Sequence, residues 1–225
     1  MGEPVVATVM TCPAVAVTPN TKFKDVVNAL LAGDGYAVPV IDTEARPLGA
    51  VTEADLLANL EFHGGTDPVP ILGGAAARRR WRKASALTAA DLMTAPVAVI
   101  GADVPIGQAA RRLSDPSHIQ LCVVDHDMRL VGILTRRNLL SVYRRSDDRI
   151  EADIAAAIQA DLRRPARTPA AITVHVDHGV VTLQGTLTYR SRAEHAGYAA
   201  SHVAGVVAIR NKLSYEVDDL MITGL

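Results

Sequence analysis

The chain has 225 residues, room for one or two domains, with 23 basic and 24 acidic side chains and a formal net charge of −1. That balance argues against a nucleic-acid partner, and a hydrophobic fraction of 49% argues against disorder. Two cysteines are too few for a disulfide framework, no apolar run approaches the ~18 residues of a membrane span, and the first residues lack a signal-peptide pattern; the expectation is a cytoplasmic protein.

In chain order, Val15-Ala-Val17 reads as a short strand, followed by a helix with Val26, Val27, Leu30 and Leu31 at helical spacing. A compact strand over 37–41, a turn opening on Asp42 and a second strand over 48–51 come next. Thr52 then stands where a further helix begins, a position suited to a capping hydroxyl. Residues 61–88 break the pattern. Gly64-Gly65, Pro68-x-Pro70 and Gly73-Gly74 read as loop, and 75–83 as a short basic helix. Its run 78–83, with Trp81, offers cation and stacking contacts to phosphate, lipid headgroups or single-stranded nucleic acid. One aromatic is thin support for that, and a solvated helix packed down by Trp81 is the simpler reading.

The stretch 7–57 is then written again, without a gap, at 90–140. Met10-Thr11-x-Pro13 returns as Met93-Thr94-x-Pro96, and Val40-x-Asp42 as Val123-x-Asp125. Gly49-x-x-Thr52-x-x-Asp55 returns as Gly132-x-x-Thr135-x-x-Asn138. The order β-α-β-β-α thus occurs twice, and constant register implies two copies of one α/β unit packed together. After Tyr143 comes a charged junction at 144–149, then a helix with Ile150, Ile154, Ala157 and Ile158. Beyond Pro165 and Pro169, Ile172-x-Val174-x-Val176, a turn at His178-Gly179 and Val181-x-Leu183 read as strands, followed by a helix over 191–203 and a last strand from Val206 to Leu213. The expected division is 1–60, a linker at 61–88, 89–145, a separate domain at 146–216 and a tail at 217–225.

These repeated motifs resemble a tandem CBS pair, or Bateman module. The C-terminal stretch resembles a BON domain through Val174-x-Val176-x-x-Gly179-x-Val-x-Leu183-x-Gly185, Ala193-x-x-Ala196 and Gly205-Val206-x-x-Ile209-x-Asn211-x-Leu213. The resemblance implies an α/β (α+β) class: two pseudo-symmetric β-α-β-β-α CBS units forming one module, plus a small α-β-β-α-β BON domain. It also implies AMP, ADP, ATP or S-adenosylmethionine as a regulatory ligand in two clefts, with no resident cofactor, and a homodimer through the CBS pairs. For the BON domain it implies a phospholipid or protein partner.

On that resemblance, Gly49 and Gly132 let the backbone approach the ligand, and the Thr52 and Thr135 hydroxyls meet phosphate at a helix N-terminus. Asp55 accepts from ribose hydroxyls, with neutral Asn138 as its weaker counterpart. Adenine lies on the backbone at Ala14-Val15 and Val97-Ala98. Tyr36, Ala37, Ile119 and Gln120, at the entry to the strand before each turn aspartate, complete the set. No basic residue stands there. Arg136 and Arg137 either supply that charge at the second site or form a solvated helix face. Thr52, Asp55, Thr135 and Asn138 also read as plain helix caps.

His175-x-x-His178, His195 and His202 come without a Cys or carboxylate in a ligand pattern, so no metal is expected, and Cys12 and Cys122 read as small buried thiols. No Ser/His/Asp elbow, Walker loop or paired-carboxylate cleft is present. The expectation is a non-enzymatic sensor coupling an adenine-containing ligand to a BON interaction domain. Its rival is a ligand-free scaffold docking on a protein partner or membrane surface.

Overall fold

A computed structural model describes residues 3–33, 36–70, 74–162 and 172–220. Gly73, Pro165, Pro169 and residues 221–225 of the expected tail lie outside the described residues. The chain divides into two compact units, with the boundary between Leu139 and Leu140.

The first unit contains both repeats. Its elements are α1 (Phe23–Ala32), β1 (Ala37–Ile41), β2 (Pro47–Thr52) and α2 (Glu53–Glu61), then the linker helix α3 (Gly74–Ala84). The second copy follows as α4 (Ala89–Leu92), β3 (Val99–Gly101), α5 (Ile106–Ser114), β4 (Gln120–Val124), β5 (Leu130–Thr135) and α6 (Arg136–Leu140). The hairpins β1–β2 and β4–β5 are antiparallel. Each turns on an aspartate. Asp42 Oδ1 accepts from the Glu44 and Arg46 N–H groups at 2.8 Å, and Asp125 Oδ1 does the same for Asp127 at 2.9 Å and Arg129 at 2.8 Å.

The cores repeat as well. Val17, Val26, Leu30, Val38, Val40 and Val51 are buried in one cluster. Their repeat partners Ile100, Ala109, Leu113, Leu121, Val123 and Leu134 form the other. The remaining members are exchanged. Val6, which precedes the first copy, is buried in the second core, and Ala89, which precedes the second copy, in the first. Val6 N–H donates to Val104 O at 2.9 Å, and Ala89 N–H to Thr21 O at 2.9 Å. Each copy is therefore completed by the other's leading segment, so neither has a closed core alone.

The expected strand Val15-Ala-Val17 is absent as a strand. It narrows to a single parallel bridge between Val17 and Val40, whereas β3 pairs with β4 over three residues. The cause is one residue. Cys122 N–H donates to Ala98 O at 2.9 Å, but its counterpart in the first copy is Pro39, which has no N–H to offer Val15.

The second unit has α7 (Asp147–Leu162), β6 (Thr173–Asp177), β7 (Val180–Tyr189), α8 (Arg190–Ser201) and β8 (Ala208–Val217). Its sheet runs β6-β7-β8, antiparallel then parallel. Ile150, Ile154 and Ile158 of α7 pack with Ala196 and Ala200 of α8 on Val176, Val181 and Leu183. Three differences from the sequence reading have physical causes. Half of the charged junction is helix: α7 begins at Asp147, whose carboxylate accepts from the His178 and Gly179 N–H groups at 2.8 and 2.9 Å. Strand β7 continues through Gly185 to Tyr189 because β8 pairs along its whole length. The start of the expected tail is tied down: Asp218 pairs with Arg190 at 3.0 Å, and Asp219 accepts from Ser191 N and Oγ. Those Ser191 bonds hold the Asp219 carboxyl below the usual range.

Candidate ligand clefts

Within the first unit the exchanged segments bring the two motifs to equivalent places. Thr11 N–H donates to Ile133 O at 2.9 Å, and Thr94 N–H to Ala50 O at 2.9 Å. The Met-Thr segment of each copy thus lies along the last strand of the other. This is what the motif glycines permit. A Cβ on Gly132 would stand 2.6 Å from Met10 Sδ and 2.9 Å from Thr11 O; on Gly49 it would stand 2.8 Å from Met93 Sδ and 2.9 Å from Thr94 O. The close approach expected at these glycines is to the opposite copy's backbone.

One cleft of ≈ 270 Å³ is lined by residues 11–15, Leu30, Ala32, Gly33, Ala37, Val38, Ile133 and Thr135. It brings together Ala14, Val15, Ala37 and Thr135 of the expected site. Among the described residues no charged side chain lines it. Thr135 Oγ1 donates to Asn138 Oδ1 at 2.7 Å, and Asn138 Nδ2 donates to Thr11 Oγ1 at 3.1 Å. Cys12 also lines this cleft and is exposed, contrary to the buried thiol expected. Cys122 is buried, and desolvation pushes its thiol up to about 12. Tyr36 is 51% exposed and is not among the lining residues.

The equivalent position in the other copy, around Thr52 and Asp55, is wired differently. Thr52 and Asp55 form a capping box: Thr52 N–H and Oγ1 both donate to Asp55 Oδ2, at 2.9 and 2.8 Å, while Asp55 N–H returns a bond to Thr52 Oγ1. The other carboxylate oxygen is taken as well. Lys83 Nζ of α3 donates to Asp55 Oδ1 at 2.6 Å and to Thr94 Oγ1 at 2.9 Å. The Lys83 and Asp55 side chains are only 11% and 14% exposed. Asp55, expected to accept from a ribose, therefore accepts from the protein itself. Val97 and Ala98 are half-buried at the start of the second copy, and Ile119 is 40% exposed.

Two more expected contacts are turned into the fold. The Gln120 amide is buried and spans the repeat: Oε1 accepts from Ala37 N–H at 3.1 Å and Nε2 donates to Ala37 O at 2.8 Å. It behaves as one extra strand residue pairing with its own repeat partner. Arg136, open to a phosphate-binding role or a place on a solvated helix face, turns its guanidinium to backbone carbonyls instead. Its Nε donates to Leu113 O at 2.7 Å and its Nη2 to Asp115 O and His118 O at 3.2 and 3.1 Å. A guanidinium suits the carbonyl end of α5, where the last turn leaves acceptors unpaired. Arg137 is exposed.

The residue missed by the sequence reading is Lys83, absorbed there into the basic run 78–83. Trp81 anchors the helix by donating Nε1–H to Asp67 O at 2.8 Å, and Arg80 pairs with Glu61. The pairs 55–83 and 61–80 show α2 and α3 running past each other in opposite directions. The signal was the acids of one helix facing the bases of the next.

The second unit has its own crevice of ≈ 300 Å³, lined by Tyr143, Arg145, Ser146, Asp147, Ile150, His178, Gly179, Gly205 and Val207. Its cation is committed: Arg145 pairs with Asp153 and donates to Ala204 O at 2.9 Å. Among the described residues no group of three or more His, Cys, Asp or Glu could hold a metal, and no helix is long and apolar enough to cross a membrane.

Comparison with known proteins agrees with this geometry. The CBS-domain family profile matches residues 6–61 and 89–145, and the BON-domain profile matches 146–216. The chain is 30% identical over 145 residues to the chloroplastic CBS domain-containing protein CBSX1 of Arabidopsis thaliana, covering 59% of this chain and 61% of that protein. It is 30% identical over 133 residues to CBSX2 of the same plant, covering 55% and 56% respectively. The chain thus spans between about half and three fifths of the curated relatives it matches. Among solved structures, CBSX2 in complex with AMP aligns with a TM-score of 0.51 and 31% identity, over 61% of this chain and 94% of that one. Repeat, exchanged segments, paired cap motifs and profile matches converge: this chain belongs to the CBS-domain family, as a tandem CBS pair followed by a BON domain.

Proposed function

We propose that the chain is a regulatory sensor that binds an adenine-containing ligand (AMP, ADP, ATP or S-adenosylmethionine) in its CBS pair and couples occupancy to the BON unit. The observation that carries this reading is the ≈ 270 Å³ cleft in which the segment 11–15 of one copy faces Thr135 of the other. The AMP complex of CBSX2 supports it. Backbone at Ala14 and Val15 receives the adenine and the Thr135 hydroxyl meets the ribose-phosphate, beside the Asn138 amide that holds Thr135 and Thr11 in place. The cleft's lack of a charged lining residue favours a nucleoside with little or no phosphate charge over ATP. The exposed Leu57 and Leu60 of α2 support a homodimer, and Tyr198 and Val207 a docking face for a protein or phospholipid partner. A cytoplasmic location is part of the same proposal.

The test is a thermal shift against AMP, ADP, ATP, adenosine and S-adenosylmethionine. A ligand at a hundredfold excess over its Kd stabilises the fold by about 2.7 kcal/mol, a rise of several degrees. If no adenine compound moves the melting temperature at millimolar concentration, the chain is instead a ligand-free scaffold. That second reading draws on the internal use of Asp55, Gln120 and Arg136.

A further inference from the structure

We propose that Lys83 is a built-in occupant of the Thr52–Asp55 position, the repeat counterpart of the Thr135 cleft, so that the chain binds one adenosyl ligand where its repeat offers two motifs. The proposal rests on the functional reading above and says which of the two motifs carries it. In the Thr135 cleft the neutral Asn138 amide has a donor of its own and with it reaches Thr11 Oγ1. Its repeat partner Asp55 has only acceptors, and Lys83 Nζ lies between it and Thr94 Oγ1, 2.6 and 2.9 Å away. Asp55 Oδ2 is already bonded twice by Thr52, so the ammonium takes the oxygen that a ribose hydroxyl would need.

The lysine is held there by its helix. Trp81 Nε1–H on Asp67 O, Arg80 on Glu61 and Asn59 Nδ2 on Ala84 O at 2.7 Å fix α3 against α2. A ligand entering this position must expel a buried ammonium from its carboxylate and move α3. A ligand entering the other displaces no charged group. The same feature makes the Asn138 copy, with its neutral amide, the binding one.

Calorimetric titration of the full chain with AMP tests this. Three proteins are compared: wild type, Thr135→Val, and the double variant Asp55→Asn with Lys83→Met. The double variant rewrites the first motif in the image of the second and leaves no unpaired charge. Wild type should bind one AMP per chain, Thr135→Val should weaken that event at least tenfold, and the double variant should bind two. Protection of Lys83 from amine acylation, read by mass spectrometry, should persist with AMP saturating. Two AMP per wild-type chain overturns the proposal and leaves the sensing reading intact, as does an AMP-induced exposure of Lys83. A double variant that still binds one also overturns it. No binding to any of the three, with AMP or with adenosine or S-adenosylmethionine titrated in its place, overturns the sensing reading and this one together.

Discussion

The two CBS copies share a scaffold and differ in what fills their motifs. Paired core positions, exchanged leading segments and aspartate turns recur with a constant offset, and the Xaa-Pro peptides at Cys12–Pro13 and Ala95–Pro96 are both cis. Within that frame single residues break the symmetry. Pro39 against Cys122 shortens one sheet, Ala37 against Gln120 places an amide across the repeat, and Asp55 against Asn138 recruits a lysine. The shared residues build the scaffold, and the unshared ones decide what each cleft can hold.

The largest effect expected from breaking this comparison is at Lys83. Lys83→Ala leaves the Asp55 carboxylate without its cation in a setting barely a seventh exposed. Breaking a buried pair costs about 3–5 kcal/mol; partial exposure puts this one at the lower end, about 3 kcal/mol. Asp55→Asn combined with Lys83→Met should recover to within about 1 kcal/mol of wild type, because no bare charge remains. Urea melts of the three proteins decide it. A single variant as stable as wild type would mean that the ion pair does not hold α3 in place.

Gln120 comes next. Gln120→Ala removes two neutral hydrogen bonds and strips the Ala37 N–H and C=O of their side-chain partner, a loss of about 2 kcal/mol. The same change at an exposed polar position such as Gln184 should cost less than 0.5 kcal/mol. Equal losses at the two sites would show that the amide bridge adds nothing to the packing of the copies.

Arg136 should matter less, and in a different way from the sequence reading. As the cap on the carbonyl end of α5, Arg136→Ala should lower stability by about 1 kcal/mol. It should also weaken AMP and adenosine by the same factor. A selective loss of AMP would show that the guanidinium leaves the carbonyls of Leu113 and His118 to meet phosphate. The first copy has no such cap, since Glu53 stands at the equivalent position.

These cases show how much was legible beforehand. β1 and β4 were readable to the residue, because an apolar run bounded by a turn aspartate admits little else. The cap motifs were readable as motifs, but their wiring was not. Whether Asp55 faces a ribose or a lysine depends on α3, which lies outside the repeat, and local spacing carries no record of that packing. Gln120 reads as a cleft residue from its place at the entry to β4, and only the juxtaposition of the copies reveals the backbone that its amide meets. Pro39 was visible, and the missing N–H at that position already implied a shorter first sheet.

The smallest perturbation compares the two cysteines and leaves stability untouched. Cys122 is buried in β4, and desolvation raises its thiol to about 12. Only the thiolate reacts with an alkylating reagent, so at pH 8 on the order of one Cys122 in ten thousand is competent, before access is considered. Raising the pH increases that fraction but leaves it small until the pH nears 12. Cys12 is exposed in the wall of the Thr135 cleft. Iodoacetamide should therefore modify Cys12 first, by at least a hundredfold in rate, and leave Cys122 unmodified until the fold is melted. If AMP fills that cleft, saturating AMP should slow the Cys12 reaction several-fold and leave an unfolded control unaffected. Modification of Cys12 at the same rate with and without bound AMP would move the ligand away from the segment 11–15, and with it the cleft on which the one-site assignment rests.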